Sequence, residues 1–184
     1  MDDHRIVELY WERSEAAIKE TQKKYGKYCR YIARNILRSE PDAEECENDT
    51  YLHAWRAMPP HKPSVLSTFL GKITRRISID RVRKHQAAKR GGGEMPLALE
   101  ELEDCIAGNG DVEKEYDRQA LIHLINGFLG ELPDTERRVF LRRYWYMDPI
   151  SAIARRFGFT QSKVTSMLHR TRGKLRAQLR EEGY

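Results

Sequence analysis

Side chains that can hydrogen bond to DNA recur at helical spacing near the end of the sequence. Ser162, Ser166, His169 and Arg170 lie three or four positions apart, with Lys163 on the flank. Arginine pairs bidentately with guanine, and serine hydroxyls reach base edges or phosphates. Apolar or small residues mark the opposite, inward face: Val164, Leu168, Thr171, Leu175 and Leu179. The spacing predicts a helix whose N-terminal polar face can enter a major groove.

The residues just before this helix complete a helix-turn-helix pattern. A short amphipathic segment precedes it, Gly158 permits a left-handed turn, and Thr160 suits an N-cap. Phosphate contacts position a protein on DNA without specifying sequence. Four further cations on the same predicted helix suit that role: Arg172, Lys174, Arg176 and Arg180.

No arrangement of catalytic or metal-binding residues is recognisable in the sequence. The six histidines are scattered, without an HExxH, GxSxG or P-loop motif. Glu45, Asp49 and His53 recur every four residues, so they could share one helical face. His53 could form a two-residue ligand pair with Asp49, which is fewer ligands than a typical metal site has. The three cysteines are too far apart for a CxxC site and odd in number. We therefore expect no enzyme activity, no metal and no cofactor.

Helical periodicity extends through most of the chain. It predicts one helix from Ile6 to Leu37 and a second that opens at Pro41 and Asp42. Residues 59–67 contain three prolines and predict a loop. A helix from Thr68 follows, with a basic face and an apolar stripe of Phe69, Leu70, Ile73 and Ile77. Helical pattern resumes near residue 112, with Asp134 and Asp148 as predicted N-caps and Pro149 as a first helical residue.

The charges divide the chain into three blocks. Residues 1–90 carry a net charge of +6, residues 91–136 carry −10, and residues 137–184 carry +9. Gly91, Gly92 and Gly93 begin a stretch with little periodicity. We expect an all-α protein with two small helical domains, 1–90 and 112–184, joined by a flexible acidic linker, 91–111. No run is apolar enough for a membrane span, and the acidic start favours a cytoplasmic protein.

Several segments resemble the sigma-70 family of bacterial RNA polymerase sigma factors. Residues 42–55, Asp-Ala-Glu-Glu through Ala-Trp, resemble the core of conserved region 2, and residues 69–81 resemble its promoter-melting helix. Residues 132–179 resemble region 4. The order and spacing of these segments are similar to those of the small extracytoplasmic-function-like members. The chain departs from the family pattern at Arg76, where an asparagine is usual, and in the proline content of its loop.

The resemblance implies that the chain binds core RNA polymerase and promoter DNA. Region 4 would read the −35 element through the final helix, and a candidate additional partner is an anti-sigma factor. An acidic helix face would bind the polymerase through Glu45 and Asp49, together with Trp55, whose ring we expect in the core. The loop and the basic helix would contact the −10 element through six residues: His61, Lys62, Ser64, Lys72, Arg75 and Arg76.

One alternative reading is a stand-alone helix-turn-helix regulator that binds duplex DNA as a dimer. Only the C-terminal half would then read DNA, and residues 1–90 would serve as a sensor or dimerisation domain. A basic helix after a proline loop is not needed for dimerisation, which favours the sigma factor. The two readings predict different assemblies. A sigma factor is a monomer that co-purifies with core polymerase, whereas the regulator binds DNA as a dimer.

Overall fold

The computed structural model describes residues 1–88, 101 and 115–182, and this part of the chain is all-α, as predicted. Its helices fall into two compact units, Met1–Gly92 and Gly93–Tyr184. The first unit contains α1 (Asp3–Trp11), α2 (Ala16–Leu37), α3 (Glu40–Ala57) and α4 (Leu66–Ala88). The second contains α5 (Glu115–Glu131), α6 (Asp134–Tyr144), α7 (Ile150–Phe157) and α8 (Gln161–Glu181). The predicted linker, 91–111, lies outside the described residues except for Glu101.

The predicted single helix from Ile6 to Leu37 is wrong, because the chain breaks between α1 and α2. Arg13 takes a left-handed backbone conformation with φ of 55°, and the Ser14 amide donates to the Leu9 carbonyl. A straight helix of this length would extend about 50 Å. The break instead lets Ile6 and Tyr10 of α1 enter the same core as α2.

Two sets of buried side chains fill the interior of the first unit. The apolar set includes Ile6, Tyr10, Met58, Leu66 and Leu70, all fully buried. Apolar burial of this kind supplies most of the driving force for folding. Because Met58 and Leu66 flank the loop between α3 and α4, both ends of that loop are fixed in this cluster.

The second set is a polar seam between α3 and α4, and it corrects the predicted stripe of α4. The buried positions are Leu66, Leu70, Gly71, Thr74 and Ser78, whereas Phe69, Ile73 and Ile77 of the predicted stripe are only partly buried. The Thr74 hydroxyl lies 3.1 Å from the Thr50 hydroxyl and donates to the Leu70 carbonyl. Small hydroxyl side chains that bond within their own helix satisfy buried polar atoms while allowing close helix packing.

A buried carboxylate joins α2 to α3. Glu47 is only 2% exposed, and its two oxygens accept from the Tyr51 hydroxyl and the Arg30 Nε, each at 2.7 Å. Gly26 of α2 faces this group so closely that an added Cβ would lie 2.9 Å from Glu47 Oε1 and 3.2 Å from the Tyr51 oxygen. The charge is therefore paired and hydrogen bonded, as a buried ion requires.

The second unit packs α5, α6 and α7 against the final helix. Phe140 contacts Phe128 and Tyr144 at ring-centroid distances of 6.3 and 4.5 Å, and Val164 and Leu168 of α8 are buried. The inward residues predicted for the final helix are all confirmed as buried: Val164, Leu168, Thr171, Leu175 and Leu179.

Two predicted N-caps are wrong. Pro133 precedes α6, so Asp134 lies inside the first turn and pairs with arginines of its own helix. Pro149 occupies the N-cap of α7 rather than the first helical position. The Asp148 carboxylate is buried and lies 3.4 Å from Arg142 Nη1. Asp148 therefore lies one residue before the N-cap and pairs within the unit.

Gly26→Ala tests the packing of α2 against α3. Replacing glycine by alanine within a helix usually stabilises it by about 1 kcal/mol. Here the new methyl group would overlap Glu47 and Tyr51, so we expect destabilisation of about 1–3 kcal/mol. Native-state hydrogen exchange of α2 amides measures this change. The matched control is Gly173→Ala in α8, which has no atom within 4 Å of the new Cβ and should slow exchange there.

Candidate nucleic-acid interface

The helix pair at the end of the second unit is held by the turn between α7 and α8. Gly158 ends α7 in a left-handed conformation with φ of 65°, where only glycine avoids strain. The Phe159 amide donates to the Ala154 carbonyl at 2.9 Å. The Thr160 Oγ1 accepts from the Lys163 amide at 3.2 Å and caps α8, as predicted.

This geometry exposes the polar face at the N-terminal end of α8. The five predicted base or backbone contacts are all exposed: Ser162, Lys163, Ser166, His169 and Arg170. They lie within the first ten residues of the helix, a length of about 15 Å, which suits a major groove about 12 Å wide. The Lys163 Nζ also lies 3.8 Å from the centre of the Phe159 ring.

Of the four predicted phosphate contacts farther along α8, Arg180 is exposed, and the other three are engaged within the unit or half-buried. Arg172 is largely buried and donates to the Tyr144 hydroxyl at 2.7 Å and to Glu101 at 3.1 Å. Lys174 pairs with Glu136 at 3.1 Å. Arg176 is half-buried, and its Nε is buried without a hydrogen-bond partner among the described residues. Arg172 in particular is already committed to a contact inside the unit.

Glu101 is the centre of that contact, and it is not among the residues predicted from the sequence. One oxygen accepts from Arg143 Nη2 at 3.1 Å; the other accepts from Tyr144 at 2.7 Å and from Arg172 Nη1 at 3.1 Å. Burial alone would raise the pKa of Glu101, but the hydrogen bonds from Arg143 and Tyr144 hold the pKa below its ordinary value. Glu101 lies in an acidic stretch without helical periodicity, so nothing in the sequence distinguishes it from its neighbours.

The candidate residues of the first unit lie around the loop between α3 and α4. His61, Lys62 and Ser64 are exposed on the loop, and Lys72 and Arg76 are exposed on α4. Arg75 differs, because it is half-buried, and desolvation lowers the pKa of its guanidinium to about 10. It remains charged at neutral pH.

A cleft of about 640 Å³ lies between α3 and α4. Two predicted residues line it, His61 and Arg76. The other polar residues of its wall are not among the predicted DNA contacts: Asp49, His53, Asp80, Arg81 and Lys84. Phe69, Ile73 and Ile77, which were expected in the core, form its apolar wall. Cations beside an aromatic ring and aliphatic side chains suit a nucleic-acid base and its phosphate.

The acidic face of α3 is occupied in part by a residue of α4. Arg81 donates to Glu45 at 2.9 Å and to Asp49 at 2.6 Å, and these bonds lower the pKa of Glu45. Trp55 is partly buried against the core, 6.1 Å from the Tyr10 ring, as expected for its ring. The exposed part of this face includes Leu52, which is 44% exposed.

Family models match both units of the chain. A model described as Sigma-70 region 2 matches residues 22–88, and a model described as ECF sigma factor matches residues 60–181, more than half of the chain. The chain belongs to the ECF sigma factor family. The resemblance inferred from the motifs is thereby confirmed, and with it the assignment of this protein to the RNA polymerase sigma factors.

Two curated relatives agree with this assignment. A probable RNA polymerase sigma factor RfaY of Xanthomonas campestris pv. campestris is 25% identical over 151 residues, which are 80% of this chain and 36% of the relative. The ECF RNA polymerase sigma factor SigK of Mycolicibacterium vanbaalenii is 29% identical over 117 residues, 62% of this chain and 57% of the relative. This sigma factor thus spans about a third to just over half the length of these relatives.

Neither a membrane-spanning helix nor a cluster of metal ligands occurs in the part of the chain that the structure describes. Across residues 1–88, 101 and 115–182, no helix combines the length and apolarity that a membrane span needs. Within the same ranges, no three His, Cys, Asp or Glu side chains are grouped as metal ligands. Asp49 and Glu47 of α3 are instead hydrogen bonded to Arg81 and Arg30.

Glu101→Ala tests the internal contact of α8. Removing the carboxylate leaves Arg143, which is 8% exposed, as a buried cation without this partner, and we expect a loss of about 1–3 kcal/mol. The control Glu136→Ala breaks the more exposed Lys174 pair and should cost less than about 1 kcal/mol. Hydrogen exchange of α8 amides in the whole chain reports both, and equal effects would contradict the assignment.

The same contact predicts a pH dependence. Because the pKa of Glu101 is lower in the folded protein than in the unfolded chain, its stabilisation is complete above about pH 5 and declines as the pH falls through the folded pKa. The difference in α8 protection between the wild type and Glu101→Gln should therefore narrow in acid. If the difference in protection widens as the pH falls, the predicted direction of the pH dependence is wrong.

Proposed function

We propose that this protein directs promoter-specific transcription initiation by binding core RNA polymerase and recognising the −10 and −35 elements. Residues 1–90 form the domain that binds the polymerase and the −10 element. Residues 91–111 link it to residues 112–184, the helix-turn-helix domain that reads the −35 element. The protein acts by binding and performs no chemistry of its own. The family membership carries this proposal.

The exposed face of α8 supports recognition of the −35 element. Its hydrogen-bonding residues are clustered on the part of the helix that reaches a groove, and a buried stripe fixes their direction. Arg170 is the residue best suited to guanine. Lys163, near the N-terminal end, suits a phosphate. Arg172 is a weaker candidate for phosphate than the sequence suggests, because Glu101 holds it.

The loop, the cleft and α4 support contacts with the −10 element. Melting requires bases to leave the duplex and to be held by a shaped pocket, while cations follow the backbone. His61 and Arg76 lie on the cleft wall, and Lys62, Ser64 and Lys72 are exposed nearby in sequence. Arg75, being half-buried, suits a supporting role for α4 better than a direct contact.

Helix α3 is the proposed contact for the polymerase. Glu45, Asp49 and Leu52 lie at helical spacing on one side of the helix, and Leu52 is exposed. An acidic rim around an exposed apolar residue is typical of a specific protein interface. Arg81 fixes the carboxylates of Glu45 and Asp49 in position. These ion pairs orient the acidic surface and leave it exposed.

Transcription with purified core polymerase tests the proposal as a whole. The chain is added to core enzyme on a library of genomic upstream fragments, and the transcript starts are sequenced. We expect initiation only with the protein and from fragments that share two spaced elements. If the protein neither binds core polymerase nor supports initiation, the alternative of a stand-alone DNA-binding regulator is favoured. In that case dimerisation and binding to palindromic duplexes should be observed.

Arg170→Ala and Lys163→Ala separate base reading from phosphate contact. In the complex with core polymerase, Arg170→Ala should relax the preference at one −35 position at a cost of about 1–3 kcal/mol. Lys163→Ala should weaken all −35 sequences alike and reduce the salt slope by about 1. Binding of the complex to −35 variants at several salt concentrations measures both. Indistinguishable effects of the two changes would contradict the assignment.

A further inference from the structure

Helix α1 lies beside the loop that is proposed to contact the −10 element. A cavity of about 300 Å³ lies between them, lined by Asp3, His4 and Val7 of α1 and by Lys62, Pro63 and Ser64 of the loop. Two of these loop residues, Lys62 and Ser64, are proposed −10 contacts. Any movement of α1 therefore changes the surroundings of those side chains.

The core fixes α1 to the two ends of the same loop. Ile6 and Tyr10 belong to the cluster that contains Met58, just before the loop, and Leu66, just after it. All four side chains are fully buried. The loop itself can form few internal hydrogen bonds, because three of its residues are prolines that lack an amide donor.

Two polar contacts from the end of α1 act on the loop and its approach. The Trp11 indole Nε1 donates to the His61 carbonyl at 3.3 Å. The Arg13 Nη1 donates to the Trp55 carbonyl at 2.7 Å, and its guanidinium lies 5.4 Å from the centre of the Trp55 ring. The left-handed conformation of Arg13 is strained for a residue other than glycine. Such a conformation persists where the surrounding contacts hold it.

From these contacts we propose that Trp11 and Arg13 are positioning residues for recognition of the −10 element. They hold the backbone at His61 and the end of α3, and thereby set where Lys62 and Ser64 present their side chains. This inference rests on the proposed function of the loop. Residues 3–13 lie outside both matched family segments, which begin at residues 22 and 60. The contacts of α1 are therefore a property of this chain that the family match does not supply.

The test uses the complete protein with core polymerase on two promoter sets, one varied base by base at −10 and one at −35. We expect Trp11→Ala and Arg13→Ala to reduce the discrimination between −10 bases by about fivefold. Discrimination at −35 and the affinity for core polymerase should stay within about twofold of the wild type. Trp11→Phe keeps the ring but removes the donor, so it should reproduce the −10 effect in part. Arg13→Lys keeps a cation, so it should retain much of the wild-type discrimination between −10 bases.

The matched control is Arg5→Gln, on the same helix. Arg5 pairs with Glu8 and Glu12 on the exposed side of α1. Its replacement should leave base discrimination at −10 and at −35 unchanged. If the wild type supports initiation and both Trp11→Ala and Arg13→Ala keep its −10 discrimination, the inference is overturned. A uniform fall at −10, at −35 and in core affinity would also overturn it, because that pattern indicates general loss of folding.

Hydrogen exchange of the free chain supplies a readout that does not depend on transcription. We expect the His61 amide, which donates to the Ala57 carbonyl at 3.0 Å, to exchange about tenfold faster in Trp11→Ala than in Arg5→Gln, with α2 unchanged. Equal exchange in the two variants would refute the positioning role. If the wild-type protein fails to support initiation, the proposed function fails, and this measurement still decides whether α1 holds the loop.

Discussion

The buried carboxylate of Glu47 is the constraint on which the first unit depends. A charge in the interior is tolerated only with full pairing, and Arg30 and Tyr51 provide it. This requirement fixes α2 against α3 and leaves space only for a glycine at position 26. The seam of Thr50 and Thr74 then sets the approach of α4. The cleft between α3 and α4 is the surface that remains after these contacts are made.

A basic net charge describes the proposed DNA-binding surface of this protein poorly. Many of its cations are used inside the units: Arg30, Arg81, Arg142, Arg143, Arg172 and Lys174 each pair with a carboxylate. The exposed hydrogen-bonding side chains that remain on α8 are concentrated in its first ten residues. Pairing within the unit thus narrows the surface that can meet DNA, which favours a specific geometry over diffuse attraction to phosphates.

Local sequence rules predicted the features that depend on local interactions. The Thr160 cap, the Gly158 turn and the buried stripe of the last helix follow from backbone preference and period, and the structure confirms them. The errors share another cause, which is competition from distant residues. Asp148 lies one residue before the N-cap of α7, and its buried carboxylate pairs with Arg142 instead. Ile77 is not fully buried because Thr74 and Ser78 face the core. Glu101 acquires its role from Arg143 and Arg172, and no spacing rule encodes that.

The two proposed DNA contacts differ in what holds them in place. Helix α8 carries its own scaffold, because its buried stripe and its cap fix the exposed face directly. The loop before α4 has no such ladder of hydrogen bonds, and its prolines remove the amides that could form one. Its shape must come from neighbours, through Met58 and Leu66 in the core and through the Trp11 contact with His61. Base preference at the loop is therefore expected to respond to residues that never touch DNA, whereas preference at α8 is expected to follow the side chains on its surface.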